Sequence, residues 1–130
     1  MILADTSVWV DHLHGGDARM AALLEAEEIV MHPYVLGEVA LGSLRNRAAI
    51  LGDLRALPGA AVAGDEEVLA LIERHRLFGT GIGLVDAHLL ASTLLTPETR
   101  LWTRDRRLRE AAERLGIGGT PGAEGAPKGG

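Results

Sequence analysis

The sequence predicts an α/β fold, with a parallel sheet of short buried strands and helices over both faces. Two observations carry this reading. Brief apolar runs such as Met1–Ala4 and Glu28–Met31 alternate with longer segments whose apolar residues recur at helical spacing. That alternation is the mark of a parallel sheet closed on each side by helices. The core material is aliphatic, since 47% of the 130 residues are apolar and only 3% aromatic. A chain of this length forms one compact domain.

The elements follow in order. Met1–Ala4 reads as the first strand, and Ser7–Leu13 as a short helix halted by Gly15-Gly16. Asp17 is placed to cap a helix reaching about Glu27, with Met20, Leu23 and Leu24 at core spacing. Glu28–Met31 is the second strand. Pro33 suits the first position of the next helix, which runs to about Leu44 on a face of Val35, Leu36, Val39 and Ser43. A further helix spans Arg47–Leu57 and stops at Pro58-Gly59, and "AAVA" (Ala60–Ala63) reads as a short third strand. Asp65 is expected as the N-cap of a helix whose face carries Val68, Leu71, Ile72 and His75. "FGTGIG" breaks the pattern before Leu84–Leu95, a helix apolar on most sides and therefore expected to be buried. Thr99–Thr103 is the fourth strand, and Arg104–Leu115 the last helix, on Leu108, Ala111 and Leu115.

Composition changes at Gly116. Seven of the seventeen glycines and two prolines fall between Gly116 and Gly130, with almost no apolar side chains. The domain is therefore expected over residues 1–117, and 118–130 as a disordered Gly/Pro-rich tail. The lack of cysteine excludes disulfide scaffolds and thiolate metal sites. No apolar stretch is long enough to cross a bilayer and no basic-then-apolar leader is present, so a cytoplasmic protein is expected. A net charge of −5 does not favour wholesale wrapping of nucleic acid. The arginines are nonetheless clustered, at Arg100, Arg104, Arg106, Arg107 and Arg109, and again at Arg45 and Arg47.

Ligands of an open parallel sheet bind beyond the carboxyl ends of its strands. Asp5 follows the first strand and Asp105 the last; Glu38 and Asp86 lie in the opening turns of helices on the same edge. Each has an ordinary alternative. Asp5 can cap the helix that begins near Ser7, and Glu38 can be a solvated helix residue. Asp86 can complement a helix dipole, and Asp105 can cap a helix or pair with an arginine. Together they pose a harder problem, because crowded carboxylates must protonate or bind a cation. Oxygen donors without cysteine favour a hard ion, Mg²⁺ or Mn²⁺, and such a site points to phosphoryl chemistry.

At these residues a family resemblance emerges. "ILADTSVWVDHL", "PYVLGEVALGSLRNR", "GIGLVDAHLLAS" and "LWTRDRRL" resemble, in order, the four motifs of PIN domains, most closely the VapC-type ribonuclease toxins of bacterial toxin–antitoxin pairs. The resemblance spans about residues 1–117. It implies a three-layer α/β/α fold, Mg²⁺- or Mn²⁺-dependent endonucleolytic cleavage of RNA, inhibition by a cognate antitoxin protein, and a homodimer. Carried over by position, Asp5, Glu38, Asp86 and Asp105 match the acidic catalytic and metal-binding set, with Asp5 and Asp86 as the foremost direct ligands. Thr6, Ser7 and Thr103 match neighbouring hydroxyls that orient a carboxylate or a bound water. On this reading Asp5 is a ligand and Ser7 is left to cap the helix. Arg45, Arg47, Arg104 and Arg106 are candidates to rim the acidic pocket and hold RNA, each against the alternative of solvated surface.

Other motifs carry less. "GTGIG" lacks the residues of a phosphate-binding loop and reads as a tight loop that brings Asp86 inward. The five histidines show no metal-ligand spacing, and Trp9 and Trp102 read as core or interface residues. The alternative function is an inactive PIN-like binding module acting through a protein partner. An acidic-site phosphatase is disfavoured, because Ser7 stands where its nucleophile loop would carry a second acid.

Overall fold

The computed structural model describes residues 1–119. Its sheet has three parallel strands, β1 (Ile2–Ala4), β2 (Ile29–Val30) and β3 (Arg100–Trp102), in the order β2-β1-β3. Leu3 pairs with Val30 on one side and with Leu101 on the other. All of β1 is buried, which suits a central strand flanked by helices on each face.

Seven helices complete a three-layer α/β/α arrangement: α1 (Thr6–Gly15), α2 (Ala18–Glu25), α3 (Pro33–Ala40), α4 (Arg47–Arg55), α5 (Asp65–Arg74), α6 (Leu84–Leu95) and α7 (Arg106–Arg114). Helix α1 packs on β1 and on α3, while α6 and α7 both pack on β3. The core is aliphatic as expected, with Leu3, Val8, Met20, Val35, Leu89, Leu90 and Leu108 almost wholly excluded from solvent. Trp9 and Trp102 join it, which bears out their reading as core. Every residue of α6 from Ala87 to Thr93 is buried, as its apolar sequence predicts.

Several boundaries differ from the expected ones, each for a local reason. Residues 60–63 are not a strand. Met31 and Gly59 form a single bridge, closed by Met31 N–H to Pro58 O and Ala60 N–H to Met31 O. Beyond it, the Ala61 and Ala63 N–H groups donate to the hydroxyls of Thr96, which caps the C-terminus of α6, and of Ser92 on α6, instead of to a neighbouring strand. Asp65 is the first residue of α5 and not its cap. Gly64 occupies the cap, and the Glu67 carboxylate accepts its N–H at 2.7 Å. Helix α3 ends at Ala40, short of Leu44, and the Arg47 guanidinium donates to the carbonyls of Ala40 and Gly42 at that end. Pro33 does open α3, and the unforeseen cap before it is His32, whose Nδ1 accepts the Tyr34 N–H at 2.9 Å. Backbone pairing continues past β3, since Gly118 bridges to Leu101 and Gly119 N–H donates to Leu101 O. Those residues were expected to open the tail; the rest of it, 120–130, lies outside the described residues.

Candidate active site

Asp5 stands where β1 gives way to α1. Its Oδ1 accepts the Ser7 and Val8 N–H groups at 3.0 and 3.4 Å and the Ser7 hydroxyl at 2.5 Å. This makes Asp5 the N-cap of α1 and corrects the expectation that Ser7 would cap it. Ser7 Oγ instead links that carboxylate to the start of the fourth motif, accepting the Arg104 N–H at 3.3 Å. Asp5 Oδ2 accepts one donor, the Thr103 hydroxyl at 2.5 Å. A carboxylate oxygen has two lone pairs, so Oδ2 keeps a free acceptor direction while Oδ1 is saturated. Capping and ligation therefore do not compete at Asp5.

Thr103 also accepts the Asp105 N–H at 3.0 Å. Asp105 caps α7 by accepting the Leu108 N–H through Oδ1 at 3.0 Å, which leaves Oδ2 without a partner among the described residues. Across the sheet edge, the Thr6 hydroxyl donates to Glu38 Oε1 at 2.5 Å, tying the first turn of α1 to α3. Thr6, Ser7 and Thr103 thus each hold one of the four acids or its backbone.

Asp86 is half-buried in the first turn of α6, where Oδ2 accepts the Gly83 N–H at 3.2 Å. Burial pushes its carboxyl above the ordinary carboxylate range. The Gly83 N–H opposes that rise, and the negative charges of Asp105, Asp5 and Glu38 add to it. Asp86 therefore feels the charges of the other three acids from the same edge of the fold.

These donors are all oxygens, and no cysteine exists to add sulfur, which suits a hard divalent cation such as Mg²⁺ or Mn²⁺. Among the described residues no three His, Cys, Asp or Glu side chains are already gathered to hold an ion. The other three acids act on Asp86 without forming a closed cage with it.

The candidate arginines divide sharply. Arg104 is held by Asp11 and Asp17, both at 2.7 Å, with its guanidinium 5.6 Å from the centre of the Trp102 ring. Asp17 lies below the usual carboxylate range, through the Met20 N–H first and Arg104 after it. Arg106 pairs with Glu110 at 3.1 Å, one helical turn away. Arg47 is engaged at the end of α3. Arg45 lines a separate cavity of about 740 Å³ with Leu13, His14, Ser43, Leu44, Asn46 and Ile50. Arg107 stands in the arginine cluster of the sequence but not among the candidate RNA contacts, although the glycine at position 81 is its counterpart: Arg107 lies directly on that backbone.

The class follows from a parallel α/β/α domain with acids along the carboxyl edge of its sheet. The PIN-domain profile matches residues 2–114. Ribonuclease VapC32 of Mycobacterium tuberculosis, from two strains, is 48% identical over 117 residues, which is 90% of this chain and 94% of the relative. The chain belongs to the PIN-domain family. No helix among the described residues is long and apolar enough to cross a membrane.

Proposed function

We propose that this protein is a divalent-metal-dependent endoribonuclease of the VapC type, the toxin of a toxin–antitoxin pair. The observation that carries the reading is the Thr103 hydroxyl, which donates to Asp5 and accepts the Asp105 N–H and so ties two of the four acids together at one edge of the sheet. The 48% identity to a relative named as a ribonuclease supports it over nearly the whole chain.

Asp5 Oδ2 and Asp86 are the groups we assign as direct ligands, with Glu38 and Asp105 completing the negative field, in part through water. This suits Mg²⁺, which keeps several waters and takes few carboxylates. When bound, such an ion activates a water for attack on a phosphodiester and stabilises the leaving oxygen. The chain's own part is to hold its carboxylates ready. Thr103 and Ser7 fix the Asp5 carboxylate on both oxygens, and Thr6 aims Glu38. Partial burial keeps Asp86 poorly solvated, which strengthens its attraction for a cation. An RNA substrate, an antitoxin protein as partner, a homodimer, and a cytoplasmic location complete the proposal.

The test is cleavage of a structured RNA by purified protein free of antitoxin, in Mg²⁺ or Mn²⁺, against EDTA and against Asp5→Asn and Asp86→Asn. Cleavage that requires metal and both carboxylates is the expected result. Cleavage that survives both substitutions would place the activity elsewhere, and a metal-loaded wild type that cuts nothing would favour a binding module.

A further inference from the structure

The acidic centre must attract a polyanion although the whole chain carries −5, so some local cation has to offset that field. Arg104, Arg106 and Arg47 are already engaged by Asp11 and Asp17, by Glu110, and by the end of α3. Among the described residues, Arg107 has no hydrogen-bond or ion-pair partner. It nonetheless has a seat. A Cβ built on Gly81 would come within 2.8 Å of Arg107 Cδ and 3.0 Å of Nε and Nη1. Gly81 also stands at φ +89°, a left-handed conformation that a side chain disfavours. Position 81 is therefore kept bare by its own backbone, and a side chain there would displace the arginine that covers it.

This seat is next to the acids. Gly81 belongs to the loop that leads into α6 and Asp86, and Arg107 lies two positions after Asp105 in sequence. Thr80, Asp105, Arg106, Arg107 and Glu110 line one cavity of about 500 Å³. Within it Arg106 pairs with Glu110 at 3.1 Å, so the guanidinium left for a ligand is that of Arg107, which shares the cavity with the Asp105 carboxylate. The Thr80 hydroxyl donates to Leu77 O at 2.6 Å and steadies the loop beneath.

We infer that Arg107 binds a phosphodiester of the RNA strand beside the acidic centre, and that the 79–83 loop is bare at position 81 in order to seat it. This rests on the ribonuclease reading. A guanidinium suits the role because its planar fork grips phosphate oxygens in pairs, and because it cannot lose its proton near the acids. The arginine acts on capture of the strand, leaving the reacting atoms to the carboxylates.

The experiment compares wild type with Arg107→Gln, Arg107→Lys, Gly81→Ala and Gly79→Ala. Gly79 shares the left-handed backbone, at φ +73°, but a Cβ there meets nothing within 4 Å. It therefore controls for loop strain without touching the arginine. Steady-state cleavage in Mn²⁺ is read as kcat and KM, and binding of a fluorescein-labelled, random-sequence single-stranded RNA is read by anisotropy in EDTA across a salt series. Arg107→Gln is expected to raise KM about tenfold with kcat little changed, and to reduce the salt slope of log affinity by about 0.7. Arg107→Lys should recover part of the affinity and Gly81→Ala should follow Arg107→Gln, while Gly79→Ala keeps the wild-type KM. A wild-type KM and salt slope in Arg107→Gln would overturn the inference while leaving the ribonuclease reading intact. Equal losses in Gly79→Ala and Gly81→Ala would overturn the seat. A wild type that neither binds nor cuts RNA would remove the ribonuclease reading, and this inference with it.

Discussion

Thr103 donates its hydroxyl to Asp5 Oδ2 at 2.5 Å and accepts the Asp105 N–H at 3.0 Å, so one side chain joins acids from opposite ends of the chain. It lies immediately after β3 and is buried, and strand pairing of β1 with β3 sets the two segments side by side. Thr103→Val removes both bonds at a buried position. A loss of about 1–3 kcal/mol in urea unfolding is expected, together with a drop in cleavage of about tenfold or more through kcat. Thr103→Ser should restore most of both, and a Val variant as active as wild type would contradict the positioning role.

Burial, with the charge of His88 adding to it, lowers the pKa of His32 from its usual 6.5 to about 4. Its Nδ1 must stay unprotonated to cap α3. Between those two values the unfolded chain binds a proton that the folded one refuses, so stability falls as pH drops through that window. His32→Asn retains a capping oxygen and removes the titration. The loss of stability between about pH 7 and about pH 4.5, followed by urea unfolding, should be smaller in the variant. An equal loss in both proteins would refute the assignment.

Asp86 has the opposite sign. Its carboxyl is raised, so the folded state holds that proton more tightly and stability falls as pH climbs from the ordinary carboxylate value through the raised one. In EDTA at neutral pH, Asp86→Asn should therefore melt above wild type. Added Mg²⁺ should raise the wild-type melting temperature, by about 2.7 kcal/mol of stabilisation at a hundredfold excess over Kd, and should raise the variant little. An unchanged wild-type melting temperature at saturating Mg²⁺ would count against the cation.

Arg104 is structural on this account. Its pairs with Asp11 and Asp17 are partly exposed, so Arg104→Gln should cost about 0.5–1 kcal/mol and leave the KM for RNA near wild type. A KM raised as far as that of Arg107→Gln would return Arg104 to the substrate surface.

The positions of Asp5, Asp86 and Asp105 were legible because each sits in a short local motif at a strand end or helix start, where chain order alone fixes the edge it reaches; Glu38 lies instead in the last turn of α3, which ends sooner than its sequence suggests. Residues 60–63 were not, since a run of small apolar residues reads equally as strand or loop. The difference was made by hydroxyls of Ser92 on α6 and of Thr96 at its C-terminal cap, far along the chain. The double role of Asp5 was hidden for another reason: "ADTS" permits either a cap or a ligand, and only the Thr103 bond shows which oxygen is left over. Arginine roles were the least readable, because Arg104 meets Asp17 across 87 positions and Arg107 meets the backbone of Gly81.

The central claim is that separate segments share one cation, and calorimetric titration of Mn²⁺ into wild type, Asp5→Asn, Asp86→Asn and the double variant tests it most directly. If both acids serve a single centre, each substitution alone should abolish most of the binding and the double variant should lose little more. Losses that simply add, or full-strength binding in the double variant, would contradict it.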